Sequence, residues 1–244
     1  MIENGQLLER FRALSREMQN GIQTLQKQVT SIDSLRNTKD LTTLQNTLRD
    51  MGDAWNDYSG WILISTLEDL NEARQNCAPG RLDILSKFNR EKNRKHSSLA
   101  AKGVKFDVSG ATSTIIETYI QYFEQLLDLL VSNAIKYSPK AGTITISIER
   151  KEGLVIVHIE SIGPTVTKIE QSRLGEKEFR SEAARNMHVS GQGYGLYNVI
   201  KLSKLLNIEV QFLPSQRKLY DSSGIPFSEF TVKLIIPDSL KFTN

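Results

Sequence analysis

The chain has 244 residues, of which 39% are hydrophobic and 24% charged, a composition typical of folded globular proteins and not of disordered or fibrous ones. Its 31 basic and 28 acidic residues leave a formal net charge of +3, which is too small to indicate nucleic acid as a partner. A single cysteine, Cys77, excludes an internal disulfide framework, and no apolar run approaches the roughly 20 residues that span a bilayer, so we expect a cytoplasmic protein with no membrane segment within this chain.

The first part of the chain carries almost no strand pattern. Apolar residues recur at spacings of three and four over residues 11–32, and an unbroken heptad pattern runs over residues 41–62, as in a coiled coil or helical bundle. After a turn at residues 77–80, a third helix is predicted from Leu82 to Ala101. We therefore predict an all-α helical hairpin or coiled-coil region over residues 1–102 that forms a parallel homodimer, with a monomeric antiparallel bundle as the alternative.

The pattern changes after Gly103, where strands and helices are interleaved. The predicted elements are, in chain order, a strand at Val104–Val108, a helix at Ser113–Tyr137, a hairpin of the strands Thr143–Ile148 and Leu154–Ile159, and two strands at Ile208–Leu213 and Glu229–Ile236. Because they are not regular βαβ units, the sequence predicts an α+β domain over residues 103–244, with helices on one face of a sheet.

A glycine-rich loop runs from Gly191 to Leu196 and reads Gly-Gln-Gly-Tyr-Gly-Leu. Glycines at alternate positions allow a close approach of the backbone to a ligand, and the helix predicted after the loop directs unpaired N–H groups toward it. The loop therefore predicts a phosphate site. It is not a Rossmann loop, because its spacing differs and residues 180–188 before it are too polar for a buried strand, and it lacks the terminal Gly-Lys-Ser/Thr of a Walker loop.

The predicted helix that ends at Tyr137 carries a second candidate feature. Asn133 lies at the edge of its apolar stripe, and Lys136 follows one turn later. An Asn carbonyl is a hard oxygen ligand suited to Mg²⁺, and a lysine can place a point charge on nucleotide phosphates. Taken alone, however, these residues are better explained as the polar edge of an amphipathic core helix.

Four motifs in order make the chain similar to a known family. They are Leu-Leu-x-x-Asn-Ala-x-Lys-Tyr-Ser around Asn133, Ile-Gly-Pro at 162–164, Phe-Arg-Ser at 179–181 and the glycine loop. From about Ala100 to Pro237 the chain closely resembles the ATP-binding domain of sensor histidine kinases, of the GHKL superfamily shared with DNA gyrase, the mismatch-repair ATPases and the large heat-shock chaperones. The resemblance implies a two-layer α/β sandwich, the Bergerat ATP-binding fold, with ATP and Mg²⁺ as cofactors.

By this resemblance Asn133 is the Mg²⁺ ligand, Lys136 contacts phosphate and Tyr137 lies on the adenine side. The first glycine box, beneath the base, contains Gly163. It begins with Ser161, where the family has an aspartate that accepts a hydrogen bond from the adenine amino group. A serine hydroxyl is shorter and uncharged, so we expect adenine recognition to be weaker by roughly 1.5–3 kcal/mol.

The resemblance also makes residues 164–190 a mobile lid, from which Arg180 can reach the phosphates. A lid is expected because a closed pocket excludes water only while nucleotide is bound. The residues implied to cradle the triphosphate are Gly191, Gly193, Tyr194, Gly195 and Leu196.

Two further departures from the family bear on catalysis. Leu129, one helical turn before Asn133, stands where the family often has a polar or acidic residue, and leucine cannot act as a general base. The helical region resembles the family's dimerisation and phosphoacceptor hairpin, with residues 41–74 and 82–101 as its arms, yet residues 53–61, where the acceptor is expected, contain no histidine. The histidines of the chain lie elsewhere, at His96, His158 and His188.

These features lead to three hypotheses of function. The first is an ATP-binding, histidine-kinase-like signalling protein, in which Mg²⁺-ATP orders the lid and switches a helical homodimer that acts on a partner protein, without phosphorylating a histidine of its own. The second is a kinase or ATPase acting on a separate partner protein. The third is a degenerate dimerisation scaffold that binds no nucleotide, which the retained Asn133, Lys136 and cradle glycines oppose.

Overall fold

The computed structural model describes residues 18–26, 44, 47–48, 51, 73–74, 77–110, 114–187, 189 and 193–239. The chain divides into two compact units, Met1–Asn76 and Cys77–Asn244. The sequence predicts a domain boundary after residue 102, whereas the compact units divide after Asn76. Residues 77–102 therefore pack with the C-terminal unit, and the assignment of residues 1–102 to one dimerisation region stays a prediction.

In the N-terminal unit, residues 18–26 form a helix. The side-chain amide of Gln26 donates a hydrogen bond to the carbonyl of Leu48 over 3.4 Å, so this helix contacts the segment that carries the heptad pattern. Most of the predicted coiled coil at residues 41–62, with the stretch 53–61 expected to hold a phosphoacceptor, lies outside the described residues.

The C-terminal unit contains both strands and helices. Its strands are β1 (Gly80–Asp83), β2 (Lys105–Gly110), β3 (Ile115–Thr118), β4 (Thr143–Lys151), β5 (Leu154–Pro164), β6 (Glu209–Ser222) and β7 (Ile225–Pro237). Its helices are α1 (Ile84–Arg94), α2 (His96–Lys102), α3 (Ile120–Tyr137), α4 (Lys168–Gln171), α5 (Glu182–Asn186) and α6 (Gly195–Leu206).

The larger sheet has the strand order β2-β4-β5-β7-β6. Strands β2 and β4 are parallel, and the other neighbours are antiparallel. Alternate residues of the central strands are apolar and buried: Ile144, Ile146, Ile148, Val155, Val157, Ile159, Val232, Leu234 and Ile236. Because α3 contacts β5, α6 contacts β6 and the two helices contact each other, they cover this apolar face. The predicted α+β fold with two layers is confirmed.

The segment predicted as the second arm of a helical hairpin has a different place in the structure. Residues 82–101 do not form one helix, because the chain turns at Lys95 between α1 and α2, and β1 before them pairs with β3. Arg94 donates to the carboxylates of both Glu91 and Asp128, which ties α1 to α3. The single helix predicted over residues 82–101 is therefore two helices, whose polar residues dock them on the C-terminal unit, and the hairpin-arm interpretation of this segment stays a prediction.

This docking contact is a buried charge cluster. Glu91 and Asp128 are 7% and 6% exposed, and the Lys95 ammonium lies 3.0 Å from the Asp128 carboxylate. Burial raises the pKa of Glu91, against the opposing charge of Arg94. Because buried charges are tolerated only when they are paired, the cluster fixes how α1 and α3 pack against each other.

Candidate functional site

Asn133 and Gly195 meet at the centre of the candidate site. Asn133 lies near the C-terminal end of α3, and Gly195 is the first residue of α6. A Cβ atom on Gly195 would lie 2.7 Å from Asn133 Nδ2 and 2.9 Å from its Oδ1, so a larger residue would collide with the amide. The buried Nδ2 atom has no hydrogen-bond partner among the described residues. Buried polar atoms are rarely left unpaired, so the Nδ2 group of Asn133 is free to donate a hydrogen bond to a ligand.

Two cationic side chains lie close together beside this contact. Lys136 follows Asn133 on α3, and Arg180 precedes α5 and donates to the carbonyl of Ala184 over 2.6 Å. Burial, reinforced by the positive charge of Arg180, lowers the pKa of Lys136. Within the described part of the chain, no carboxylate forms an ion pair with Lys136. A lysine without an ion-pair partner that lies near a second positive charge attracts anions.

The residues predicted for the adenine side lie at the end of β5. A Cβ atom on Gly163 would lie 4.0 Å from the Cβ of Tyr137, which brings the first glycine box against the end of α3. The buried residues of β5 alternate up to Ile159. Ser161 continues this alternation, so it lies on the helix-covered face and is half-buried, whereas Glu160 is exposed. No carboxylate of β5 therefore replaces the aspartate expected at Ser161.

The second glycine box contacts the predicted lid. Gly193 has a φ of +84°, and a Cβ atom there would lie 2.6 Å from the carbonyl carbon of Glu178. Glu178 itself has a φ of +63°, and its carboxylate accepts a hydrogen bond from the hydroxyl of Tyr194. The Lys177 ammonium lies 5.8 Å from the centroid of the Tyr194 ring. The lid segment thus rests directly on the loop that is predicted to hold phosphates.

Glu170 holds the two short helices of the lid together. Its carboxylate accepts hydrogen bonds from the backbone N–H of Glu182 over 2.8 Å and of Thr167 over 2.9 Å. With the Thr167 hydroxyl bonded to the Glu170 amide, this completes a capping box at the start of α4. Glu170 therefore ties together the segment predicted as a lid, from Thr167 to Glu182.

Lys102 contacts the end of the helix that carries Asn133, and no sequence motif predicted this contact. Its ammonium group donates to the carbonyls of Ile135, Lys136 and Ser138, over 2.9, 2.7 and 3.0 Å. These carbonyls end the helix that carries Asn133. The available signal was Pro139, which ends α3 and has no N–H to donate, so an outside donor is required.

Some of the remaining predicted residues lie within the described part of the chain and others lie outside it. Leu196 is half-buried in the first turn of α6, and Leu129 is half-buried one turn before Asn133. Gly191 and His188 lie outside the described residues. No group of three or more His, Cys, Asp or Glu side chains that could hold a metal occurs among the described residues, so a metal at this site would depend on Asn133 and on groups supplied by a ligand.

Comparisons with known proteins agree with this geometry. The family described as "Histidine kinase-, DNA gyrase B-, and HSP90-like ATPase" matches residues 119–237, which span α3, the lid, the second glycine box and β7. These residues form a histidine-kinase-like ATP-binding domain. Both glycine boxes and the helix that carries Asn133 thus lie within the segment that matches this family.

Individual relatives show the same relationship. The sensor protein kinase GraS of Staphylococcus aureus (strain Newman) is 32% identical over 110 residues, which are 45% of this chain and 31% of GraS. This chain therefore matches about a third of the length of that relative. The histidine kinase AdeS of Acinetobacter baumannii superposes with a TM-score of 0.53 at 18% identity, over 89% of this chain and 95% of AdeS.

A third comparison is with full-length ShkA in complex with AMPPNP. It gives a TM-score of 0.54 at 17% identity, over 94% of this chain and 46% of ShkA. At such low identity the structural matches establish the fold of the ATP-binding domain alone. Among the described helices of this chain, none is both long and apolar enough to cross a membrane.

Proposed function

We propose that this chain binds Mg²⁺-ATP between the C-terminal end of α3 and the start of α6, and that it uses the bound nucleotide as a signal. The observation that carries the proposal is the contact of Asn133 with Gly195, where the absence of a Cβ atom lets the start of α6 approach a side-chain amide whose buried nitrogen has no partner among the described residues. The membership of residues 119–237 in an ATPase family supports nucleotide as the ligand.

The residues present fit a metal-bound nucleotide. Asn133 supplies an oxygen of the kind that Mg²⁺ accepts, with water and phosphates as the remaining ligands. Lys136 follows on the same helix, with the positive charge of Arg180 near it. Gly193 and Gly195 allow close approaches to Glu178 and Asn133 that a larger residue would block, and the backbone N–H groups at the start of α6 can meet phosphates. Tyr137, Ser161 and Gly163 form the end of the site for the base. Bound Mg²⁺ would neutralise phosphate charge there.

In the proposed signalling role, nucleotide changes the lid and the change reaches a helical homodimer that acts on a partner protein. The contacts of Glu178 with Gly193 and Tyr194 support this, because phosphates bound at the loop meet the lid there. Residues 1–76 contain no histidine, which supports signalling without phosphorylation of a histidine in that unit.

A second candidate function is transfer of phosphate to a separate partner protein, or slow hydrolysis of ATP. The paired cations Lys136 and Arg180 favour it, because phosphoryl transfer depends on positioning and charge neutralisation more than on a strong base. Leu129 opposes efficient hydrolysis, since it cannot activate water. Incubation with labelled ATP distinguishes this function from ATP binding alone. Released phosphate or a labelled partner protein supports an enzyme, and neither appears if the chain only binds ATP.

Titration with Mg²⁺-ATP by calorimetry tests the proposal. We expect saturable binding by the wild type and a loss of affinity of about tenfold or more for Asn133→Ala, because a metal ligand is removed. Asn93→Ala, an exposed asparagine on α1, is the matched control and should bind as the wild type does. Absence of binding by the wild type up to millimolar ATP would overturn the proposal.

A further inference from the structure

We infer that Lys102 is a positioning residue of the ATP site, whose ammonium group fixes the last turn of α3 and with it Asn133 and Lys136. The effect on nucleotide affinity rests on the proposed function. The effect on the conformation of α3 does not, so the two can be tested apart.

The end of α3 creates a specific need for donors. The N–H of Ser138 still bonds to the carbonyl of Ala134 over 3.0 Å, but the next residue is Pro139, which has no N–H for the carbonyl of Ile135. The last carbonyls of a helix lack partners within the helix and carry the negative end of its dipole. The ammonium group of Lys102 supplies the missing donors, because it bonds to three carbonyls: those of Ile135, Lys136 and Ser138.

Lys102 is itself held firmly at the end of α2. Its backbone carbonyl accepts a hydrogen bond from the N–H of Ala141 over 2.9 Å, and Gly103 ends the helix in a left-handed conformation with φ +64°. The side chain is half-buried, and burial lowers the pKa of its ammonium. Through its side chain and its backbone carbonyl, Lys102 thus binds both ends of the loop that follows α3.

The last turn of α3 is also the part of the helix that forms the site. Lys136 contributes both a carbonyl that Lys102 binds and the cation beside Arg180. Asn133 lies one turn earlier, and its amide must fit against Gly195 within the close distances of that contact. A last turn that frays moves the Lys136 side chain and loosens the Asn133 amide. A displacement of about 1 Å is enough to weaken a site of this kind substantially.

The experiment compares Lys102→Met with Lys102→Arg and Lys140→Met. Lys140 is exposed and lies in the same loop, so its replacement removes a nearby charge without removing the three hydrogen bonds. The side-chain amide resonance of Asn133, assigned by its loss in Asn133→Ala, is recorded without nucleotide, and Mg²⁺-ATP affinity is measured by calorimetry. We expect Lys102→Met to shift or broaden that resonance and to weaken affinity by about tenfold, Lys102→Arg to restore most of both, and Lys140→Met to change neither.

The Asn133 resonance and the Mg²⁺-ATP affinity together decide whether Lys102 positions the site. If Lys102→Met is folded but keeps the Asn133 resonance and binds Mg²⁺-ATP within twofold of the wild type, Lys102 does not position the site. If Lys102→Met does not fold, Lys102→Gln, which retains two donor hydrogens, replaces it under the same two criteria. If the wild type binds no nucleotide, the proposed function fails, and the Asn133 resonance alone still supports or overturns the role of Lys102.

Discussion

A single methyl group at Gly195 is enough to collide with Asn133. The added Cβ atom would lie 2.7 Å from Nδ2 and 3.2 Å from Cγ of that side chain, and the amide is held between α3 and α6. We therefore expect Gly195→Ala to weaken Mg²⁺-ATP binding by about tenfold and to lower the free energy of unfolding by about 1–3 kcal/mol through overpacking. Calorimetric titration and urea unfolding measure the two effects.

Gly21→Ala is the control for Gly195→Ala. Gly21 lies in the described helix at residues 18–26, and a Cβ atom there would meet nothing within 4 Å. Alanine is favoured over glycine in a helix by about 1 kcal/mol, so this change should not weaken nucleotide binding. Equal affinities for Gly195→Ala and the wild type would show that the glycine loop does not form the site.

Individual site residues differ in how far the sequence predicts them. Asn133 and Gly195 were both predicted, because each lies in a local motif with a recognisable chemistry, and the fold brings them together. Lys102 was missed because the carbonyls it binds are more than 30 residues away in the chain, and no local pattern records such a contact. Glu178 was missed for the same reason, since its role depends on a close approach to Gly193.

The Glu170 carboxylate connects α4 and α5, the two short helices of the predicted lid. This contact is therefore sensitive to low pH. Burial alone would raise the pKa of Glu170, but hydrogen bonds from the Glu182 and Thr167 amides outweigh burial and hold the pKa below its ordinary value of 4.5. The carboxylate form is thus favoured in the folded lid. Its contribution to stability is present above pH 4.5 and is lost as the pH falls through the lower folded-state pKa.

An NMR titration of the Glu182 backbone amide measures this. We expect its resonance to move with a midpoint below 4.5, as the hydrogen bond from Glu182 to Glu170 is lost. Glu170→Gln should abolish the titration and destabilise the joint of α4 and α5 by about 1 kcal/mol. A midpoint at or above 4.5 would contradict the arrangement.

Elements with strong periodicity were predicted better than short ones. The hairpin of β4 and β5 was predicted from strict alternation and is confirmed by its antiparallel pairing. The helix predicted from Ser113 begins at Ile120 instead, because residues 115–118 form β3 and pair with β1. Four residues are too few to show a period. Ile115–Thr118 is extended because it pairs with Gly80–Asp83, a strand far earlier in the chain that no local pattern reveals.

At the scale of the whole molecule, the proposed signal must pass from the ATP-binding domain to a dimer. Linkage makes this a quantitative statement, because an effect of nucleotide on dimerisation requires an equal effect of dimerisation on nucleotide affinity. The proposed nucleotide site lies in the compact unit Cys77–Asn244, whereas the proposed dimer is formed by helices that lie mostly in the unit Met1–Asn76. Coupling is therefore a property of the full chain and must be measured on it.

We predict that Mg²⁺-ATP changes the dimer dissociation constant of the full chain by about fivefold or more, the lower range of typical coupling. Sedimentation with and without Mg²⁺-ATP gives this factor, and calorimetry above and below the dimer dissociation constant must return the same factor for ATP affinity. In Asn133→Ala the effect of nucleotide on sedimentation should disappear while the dimer without nucleotide is unchanged, because the substitution lies in the ATP-binding domain. A dimer that binds ATP with an affinity independent of protein concentration would separate nucleotide binding from dimerisation and refute the signalling role, while leaving ATP binding itself intact.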